Sequence, residues 1–310
     1  MLAAIIEPLN FLARFGRHAV ILCGGHAGLG DDLLLTVVAR EFARRGASRT
    51  VVVTRCSELF AGNPDIAGTL PRTPRFVRLL GLLGVRVLSP SFSLGSPSET
   101  GRRVSDVHML TQAAASIGLP PPHDPRPWLR LSPEEMARGA RARGCILVQS
   151  SISEPGLAKP NKEWFPDRAR AAAQRLVAQG HRVAQIGLPT DAALGVGEDF
   201  RDTRSPREVA ALLGNARLFV GLVGFLMHAA RAVECPSVIL FGGREAPWVS
   251  GYPANENLFT SLPCSPCWEW SRCDFDRECM RRITAEDVCA AVDRLLARTS
   301  PRADLPVSTA

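Results

Sequence analysis

The chain has 310 residues, which is enough for two domains of ordinary size, each with its own hydrophobic core. Hydrophobic residues make up 46% of it and charged residues 22%, as in soluble globular proteins and unlike disordered or fibrous ones. The formal net charge of +7 comes from arginines dispersed along the chain. This charge favours an acidic partner or an anionic membrane surface, although a solvated arginine-rich surface is the simpler explanation. Without an RNA-binding or zinc-finger pattern, the sequence predicts no nucleic-acid partner.

The first twelve residues are apolar but are interrupted by Glu7 and Pro8 and contain no early lysine or arginine. They are too short to span a bilayer and lack the features of an export signal. We therefore expect a cytoplasmic protein, with peripheral contact at the anionic inner membrane as an additional expectation.

A glycine-rich stretch, residues 24–32, lies between an apolar run at 19–23 and a segment of helical periodicity at 32–45. This order predicts a strand, a tight loop and a helix. A phosphate-binding P-loop is disfavoured because Asp31 and Asp32 stand where that loop needs Lys and Ser or Thr. The dinucleotide pattern is disfavoured because Leu33 stands where its third glycine belongs.

The chemistry of this loop suits a neutral ligand better than an anion. Gly28 and Gly30 would let a ligand approach the backbone, and an acid beside them could deprotonate a hydroxyl. Asp31 and Asp32 could instead simply cap the following helix.

Alternating strands and helices continue on both sides of a proline-rich segment, residues 119–127, which cannot enter a helix or a central strand. Before it we predict strands at 50–54 and 85–88, helices at 74–83 and 104–117, and a loop at 89–101. After it we predict strands at 145–149, 182–186, 218–220 and 237–241, and helices from 132, at 167–179, 205–213, 226–233 and 284–298. Ser132, Ser205 and Thr284 have the sequence of helix caps.

The sequence thus predicts an α/β protein with two doubly wound, Rossmann-like domains, residues 1–127 and 128–298, that face each other across a ligand-binding cleft. A frayed tail is expected at 299–310. Three groups in the second domain could bind a nucleotide diphosphate or a sugar. Ser150 and Ser151 end a strand, Lys162 precedes a helix, and His228 lies one turn into another helix. Surface lysines and a packed core histidine are the structural alternatives.

Cys264, Cys267, Cys273 and Cys279 form a cluster near the end of the chain. The two-residue spacing of the first pair fits a tetrahedral ion, and two further thiols could complete a structural zinc or iron site. Free thiols that pack a small subdomain, or disulfides, are the alternatives.

In this order, the motifs resemble glycosyltransferase family 9, the heptosyltransferases of lipopolysaccharide assembly and their relatives. The resemblance extends from about residue 18 to 298. The matching motifs are Gly30-Asp31 with Leu33-Leu34-Leu35-Thr36, Asn63-Pro64, Lys162-Glu163-Trp164, residues 221–230, residues 238–243 and the cysteine-rich segment 264–280.

This resemblance implies a GT-B fold with an N-terminal acceptor domain and a C-terminal domain that binds a nucleotide-sugar, typically ADP-heptose. It implies inverting transfer to a hydroxyl of a cell-surface glycan without a catalytic metal. Asp31 then resembles the general base, with Gly28 and Gly30 in the acceptor loop. Lys162, Ser150 and Ser151 resemble the groups that contact the donor diphosphate, and Gly224 and His228 belong to the donor-binding element.

One element departs from the family pattern. Val223 stands where relatives carry an acid thought to contact the donor sugar, and Phe225 stands where many carry glycine. A catalytically impaired relative that binds nucleotide or glycan as an assembly partner is therefore the alternative to a transferase. A GT-B epimerase is disfavoured by the Gly30-Asp31 match and the cysteine-rich end.

Overall fold

The structure is a computed structural model that describes residues 2–24, 28–46, 49–71, 73–92, 106–152 and 159–299, with side chains from residue 8 onward. Two compact units meet in the sequence between Arg130 and Leu131. Within the described residues, no helix is long and apolar enough to cross a membrane. The predicted tail, apart from Thr299, lies outside these residues, as do parts of the loop predicted at 89–101 and the start of the helix predicted at 104–117.

Unit 1, the N-terminal unit, contains a four-stranded parallel sheet in the order β3-β2-β1-β4. Its strands are β1 Val20–Cys23, β2 Thr50–Val53, β3 Gly68–Leu70 and β4 Arg86–Leu88. Its helices are α1 Leu2–Phe15, α2 Leu29–Arg44, α3 Pro74–Leu82 and α4 Met109–Ser116. Strands β2 and β3 lie on one side of β1 in the sheet, and β4 lies on its other side. The loop after β1 therefore lies where the strand order reverses, which is the usual ligand position in such sheets.

The helix α1 was not predicted because its apolar residues do not follow an uninterrupted helical period. It is held to the unit by aromatic packing: Phe11 and Phe15 are buried, and the Phe11 ring meets Phe76 of α3 edge-on with centroids 6.4 Å apart. The same cluster includes Ile21 of β1 and Leu80 of α3. Tertiary packing, and not local propensity, thus stabilises α1.

The helix predicted over residues 32–45 begins earlier, at Leu29, with Gly28 at the N-cap position. Its first turn therefore contains Gly30, Asp31 and Asp32, where the helix dipole favours negative charge. The interpretation of Asp31 or Asp32 as the N-cap is wrong, because a glycine without a side chain occupies that position. Gly30 likewise belongs to the helix and not to the preceding loop.

The proline-rich segment is irregular, as predicted, but it is anchored along α2. The His123 amide donates to Glu41 Oε1 at 2.9 Å, and the Trp128 amide donates to Thr36 Oγ1 at 2.9 Å. Arg40 forms an ion pair with Asp124 at 2.9 Å. The chain is therefore anchored to α2 from His123 to Trp128.

Unit 2 contains a six-stranded parallel sheet in the order β10-β9-β8-β5-β6-β7. Its strands are β5 Ile146–Gln149, β6 Val183–Ile186, β7 Glu198–Asp199, β8 Leu218–Leu222, β9 Ser237–Phe241 and β10 Glu256–Phe259. Its helices are α5 Pro133–Arg138, α6 Pro166–Ala178, α7 Pro206–Asn215, α8 Phe225–Ala232, α9 Pro247–Ser250, α10 Glu278–Arg281 and α11 Ala285–Arg298. The strand order reverses between β5 and β8.

The three predicted helix caps are confirmed. Ser132 and Thr284 form complete capping boxes, and the Ser205 hydroxyl accepts from the Glu208 amide at 3.2 Å. The core under the sheet joins β5, β8 and β9 with α6 and α11, and Trp164 closes it by donating its indole N–H to the Ile283 carbonyl at 3.1 Å. The cysteine-rich segment between β10 and α11 completes this unit.

Candidate functional site

The point of strand reversal in unit 2 joins two of the sequence motifs. Gln149, the last residue of β5, accepts the Leu222 amide at the end of β8 through Oε1 at 3.2 Å. Its Nε2 donates to the Ser151 carbonyl at 2.8 Å. One side chain therefore ties together the carboxyl ends of the two strands that carry Ser150, Ser151 and Gly224. A crevice at this position is the expected ligand site of a doubly wound sheet.

The two serines differ in their surroundings. Ser150 is buried, donates to the Ala192 carbonyl at 3.2 Å and accepts from Gln185 Nε2 at 2.8 Å, so its hydroxyl is engaged within the fold. Ser151 is half-buried, and its hydroxyl donates to Glu163 Oε1 at 2.8 Å. The same carboxylate oxygen accepts the Ile152 amide at 2.9 Å. Ser151 is therefore the better placed of the two to reach a ligand.

Lys162 is at the end of a short 3-10 turn, Pro160–Lys162, before α6. Its ammonium forms an ion pair with Oε1 of Glu245, and only 11% of each side chain is exposed. The second oxygen of Glu245 accepts the Ser250 hydroxyl at 2.8 Å. Burial acts to raise the pKa of Glu245, but the Lys162 ammonium and the Ser250 hydrogen bond outweigh it and lower the pKa below its usual value. The site thus contains a largely enclosed lysine with a charged partner and not a solvated surface lysine.

The cysteine-rich loop contributes directly to this site. Its Trp270 ring lies 5.2 Å from the Lys162 ammonium and 3.5 Å from the guanidinium of Arg244. Asn161, next to Lys162, donates its side-chain amide to the carbonyls of Glu269 and Arg272 at 3.2 and 2.8 Å. Cations held over an aromatic face are stabilised by its quadrupole. Lys162, Arg244 and the loop therefore form one packed body at the carboxyl end of β9.

Gly224 lies at the N-cap of α8 in extended conformation. A Cβ there would lie 2.4 Å from Cδ1 of Ile152, which follows β5 across the point of strand reversal. A larger residue at this position would therefore force the Ile152 side chain to move. Val223, before it, is buried with 3% exposure and gives this wall an apolar residue, while Phe225 is half-buried.

His228 is buried on α8, with 5% exposure, and its Nδ1 lies 2.7 Å from the hydroxyl of Tyr252. Burial strongly raises the pKa of Tyr252, so the phenol is neutral at physiological pH. The pair fixes the orientation of the imidazole ring. His228 is thus a packed core histidine, and it also lies one helical turn from Gly224.

In unit 1, the structure distinguishes between the two aspartates of the loop. Asp32 Oδ2 accepts the hydroxyl of Thr54, at the end of β2, at 2.6 Å. Its other oxygen lies 2.4 Å from the position that a Cβ on Gly24 would occupy, so this carboxylate spans the carboxyl ends of β1 and β2. Asp31 is half-buried in the same first turn of α2, about 100° around the helix axis from Asp32. Residues 25–27 of the predicted loop lie outside the described residues.

The four clustered cysteines are free thiols in the structure, as are the other five in the chain. Cys279 is buried against Gly243, whereas Cys273 is exposed on the loop. Burial raises the pKa of Cys267 and Cys279, and the neighbouring thiols add to this effect. In the part of the chain that the structure describes, no three His, Cys, Asp or Glu side chains are arranged to hold a metal ion. Among the described residues, the geometry therefore shows neither the arrangement expected for a zinc or iron site nor a disulfide.

Sequence reasoning missed several residues that surround the predicted ones: Glu163, Glu245, Tyr252 and Trp270. Glu163 was within the quoted Lys162 motif, and its position between two motifs could have suggested it. Glu245 and Tyr252 had no such signal, because they reach Lys162 and His228 only through the fold.

The known proteins to which the chain is similar are heptosyltransferases and other glycosyltransferases. No family model matches the chain. Lipopolysaccharide heptosyltransferase 3 of Escherichia coli is 36% identical over 104 residues, an alignment that covers 33% of this chain and only 29% of that protein. The chain is thus matched to less than a third of the length of this curated relative.

Solved structures are similar over most of the chain. ADP-heptose lipopolysaccharide heptosyltransferase II of E. coli matches 90% of this chain and 99% of its own, with a TM-score of 0.66 and 16% identity. The iron-containing dodecameric glycosyltransferase TibC of enterotoxigenic E. coli matches 91% of this chain and 80% of its own, with a TM-score of 0.67 and 20% identity. A family 9 glycosyltransferase of Veillonella parvula matches 91% of this chain and 98% of its own, with a TM-score of 0.64 and 15% identity.

The two parallel-sheet units, each with its motifs at the point of strand reversal, agree with these matches. The chain therefore shares the fold of these heptosyltransferases, which is the GT-B fold that the resemblance in the sequence implied.

Proposed function

We propose that the protein is an inverting glycosyltransferase that moves a sugar, heptose or a similar one, from a nucleotide-sugar, ADP-linked, to a hydroxyl of a cell-surface glycan. The observation that carries this proposal is the position of Ser151 and Gly224 at the strand reversal of unit 2, which Gln149 ties together. TibC has been solved in complex with ADP-D-beta-D-heptose, and this supports a donor of that class. A cytoplasmic place of action is part of the same proposal.

In the proposed reaction, the Asp31 carboxylate accepts the proton of the acceptor hydroxyl as its oxygen attacks the anomeric carbon. The bond from that carbon to the diphosphate oxygen breaks, and its electron pair leaves with the nucleotide diphosphate. Lys162 and the amides at the start of α8 stabilise the charge that develops on this leaving group. Ser151 donates to the same diphosphate once a ligand replaces its bond to Glu163.

A binding protein without turnover is the second candidate, and it is favoured by a specific observation. Val223 is buried and apolar where the family pattern has an acid for the donor sugar. Such a relative would retain the diphosphate contacts of Lys162 and Ser151 while holding the sugar too weakly for transfer.

An experiment on the full chain distinguishes the two functions. A thermal-shift screen of ADP, UDP and GDP sugars identifies the donor, since a ligand that binds only the native state raises its apparent stability. Release of nucleotide diphosphate from that donor, dependent on a glycan acceptor, supports the transferase. Binding without release supports the second candidate, and a changed sugar without acceptor would identify an epimerase. A chain stabilised by none of the nucleotide-sugars would contradict all three.

A further inference from the structure

The helix α3 of unit 1 has two unlike faces. Phe76 and Leu80 point inward and pack in the core of the unit. Arg75, Arg78 and Leu82 are exposed, and their spacing of three and then four residues places them on one outward stripe. The stripe combines positive charge with a large apolar side chain.

The apolar part of this stripe is unusual in its exposure. Leu82 is 81% exposed, the highest value for a large hydrophobic side chain among the described residues, and Leu83 beside it is 40% exposed. Single exposed leucines are common on protein surfaces and need no explanation. Two adjacent ones at the end of a basic helix form a projecting apolar tip, and such surfaces mark contacts with membranes or proteins.

The stretch of chain that forms this tip carries charge of one sign. Between Ile66 and Ser98 the sequence has four arginines and no acidic residue. Arg17, from the end of α1, adds to the same place: its Nη2 is 3.9 Å from the position that a Cβ on Gly84 would take, one residue after Leu83. We call Arg17, Arg75, Arg78, Leu82 and Leu83 the α3 surface.

We propose that the α3 surface docks on an anionic phospholipid bilayer. Leu82 and Leu83 enter the headgroup boundary, and the arginines pair with lipid phosphates around them. A nucleic acid would use the arginines but would leave the leucines in water, whereas the core of a protein interface is depleted of charge. The α3 surface has both features in one stripe, which is the composition of a bilayer contact. This inference goes beyond the proposed sugar transfer and stands if no sugar is transferred.

Co-sedimentation of the full chain with vesicles tests the proposal. We expect binding to phosphatidylcholine vesicles that contain phosphatidylglycerol, weak binding to pure phosphatidylcholine, and weaker but still measurable binding to the anionic vesicles at high salt. Replacing Arg75→Gln and Arg78→Gln weakens binding by about fivefold for each arginine. Leu82→Ser with Leu83→Ser weakens it at both low and high salt.

Matched controls lie elsewhere on the chain. Arg44→Gln with Arg45→Gln removes two exposed arginines from the end of α2, and Leu188→Ser removes a leucine of 40% exposure from unit 2. Both controls keep wild-type binding if the α3 surface is the contact. Equal losses in the variants and controls, or no binding by the wild type, overturn the proposal. So does a change of oligomeric state by Leu82→Ser with unchanged vesicle binding, because the surface is then a subunit interface.

Discussion

The Lys162 ammonium is held by the Glu245 carboxylate, so the cation proposed to meet the donor phosphates already has an anionic partner inside the fold. Breaking such a pair leaves a charge buried without compensation, while removal of both charges has a smaller effect. The structural role of Lys162 and its proposed role in ligand binding can therefore be separated by substitutions.

We expect Lys162→Met to weaken ADP binding by about a hundredfold and to lower the free energy of unfolding by about 3 kcal/mol. The double variant with Glu245→Gln recovers most of that stability but not the affinity. Calorimetric titration with ADP and denaturant unfolding measure the two effects. Recovery of affinity in the double variant would remove Lys162 from the diphosphate site.

The two aspartates of the first turn of α2 are expected to differ in their effect on turnover. Asp31→Asn should lower turnover by about two to four orders of magnitude with nearly unchanged donor affinity, because it removes the proposed base. Asp32→Asn should mainly lower stability, by about 1 kcal/mol, because Asp32 holds the Thr54 hydroxyl. Steady-state kinetics of both variants, with Thr54→Val as the control for the lost hydrogen bond, decide between them. A larger loss of turnover in Asp32→Asn than in Asp31→Asn would show that Asp31 is not the base.

The sequence could identify the loop but could not choose between these aspartates. Adjacent residues of a helix point in directions about 100° apart, and only the position of Thr54 shows which one is used to brace the strands. The capped helices were predictable because the capping hydrogen bonds of Ser132, Ser205 and Thr284 join residues that are only three positions apart in the sequence. By contrast, β3 has only three residues and no burial pattern that a sequence could reveal.

In the cysteine-rich loop, too, the sequence spacing does not show where the side chains lie in the fold. Its thiol spacing suggested a metal, but the spacing carries no information on depth, and Cys273 and Cys279 lie at different depths. The loop's contact with Lys162 through Trp270 could not be predicted, because the two residues meet only when the loop folds onto β9.

Trp270 provides a matched test of that contact. Trp270 and Trp248 are 48% and 47% exposed, but Trp248 packs on Phe259 and not on a cation. We expect Trp270→Ala to weaken ADP binding by about fivefold to tenfold, since it releases both Lys162 and Arg244 from the ring. Trp248→Ala should leave ADP affinity within about twofold of wild type. Equal affinities for the two variants would show that the loop does not position Lys162.

Glu135 gives unit 2 a pH-dependent stability. Its carboxylate accepts two bonds from Arg207, at 2.5 and 2.6 Å, and also the Ser132 amide at 2.7 Å, as the last residue of a capping box. The Arg207 bonds, acting against the effect of burial, lower the pKa of Glu135 from 4.5 to about 2. A depressed carboxyl pKa stabilises the folded state above the unfolded value, so this contribution is fully present above pH 4.5 and is lost as the pH falls toward 2.

We therefore expect Glu135→Gln to lower the free energy of unfolding by about 2 kcal/mol at neutral pH, with a difference from wild type that shrinks as the pH falls from 4.5 to 2. Glu134→Gln, on the same turn but exposed, should leave the free energy of unfolding nearly unchanged. Denaturant unfolding of the three proteins across this pH range measures the effect. A difference that stays constant with pH would mean that packing of the side chain, and not its charge, stabilises the start of α5.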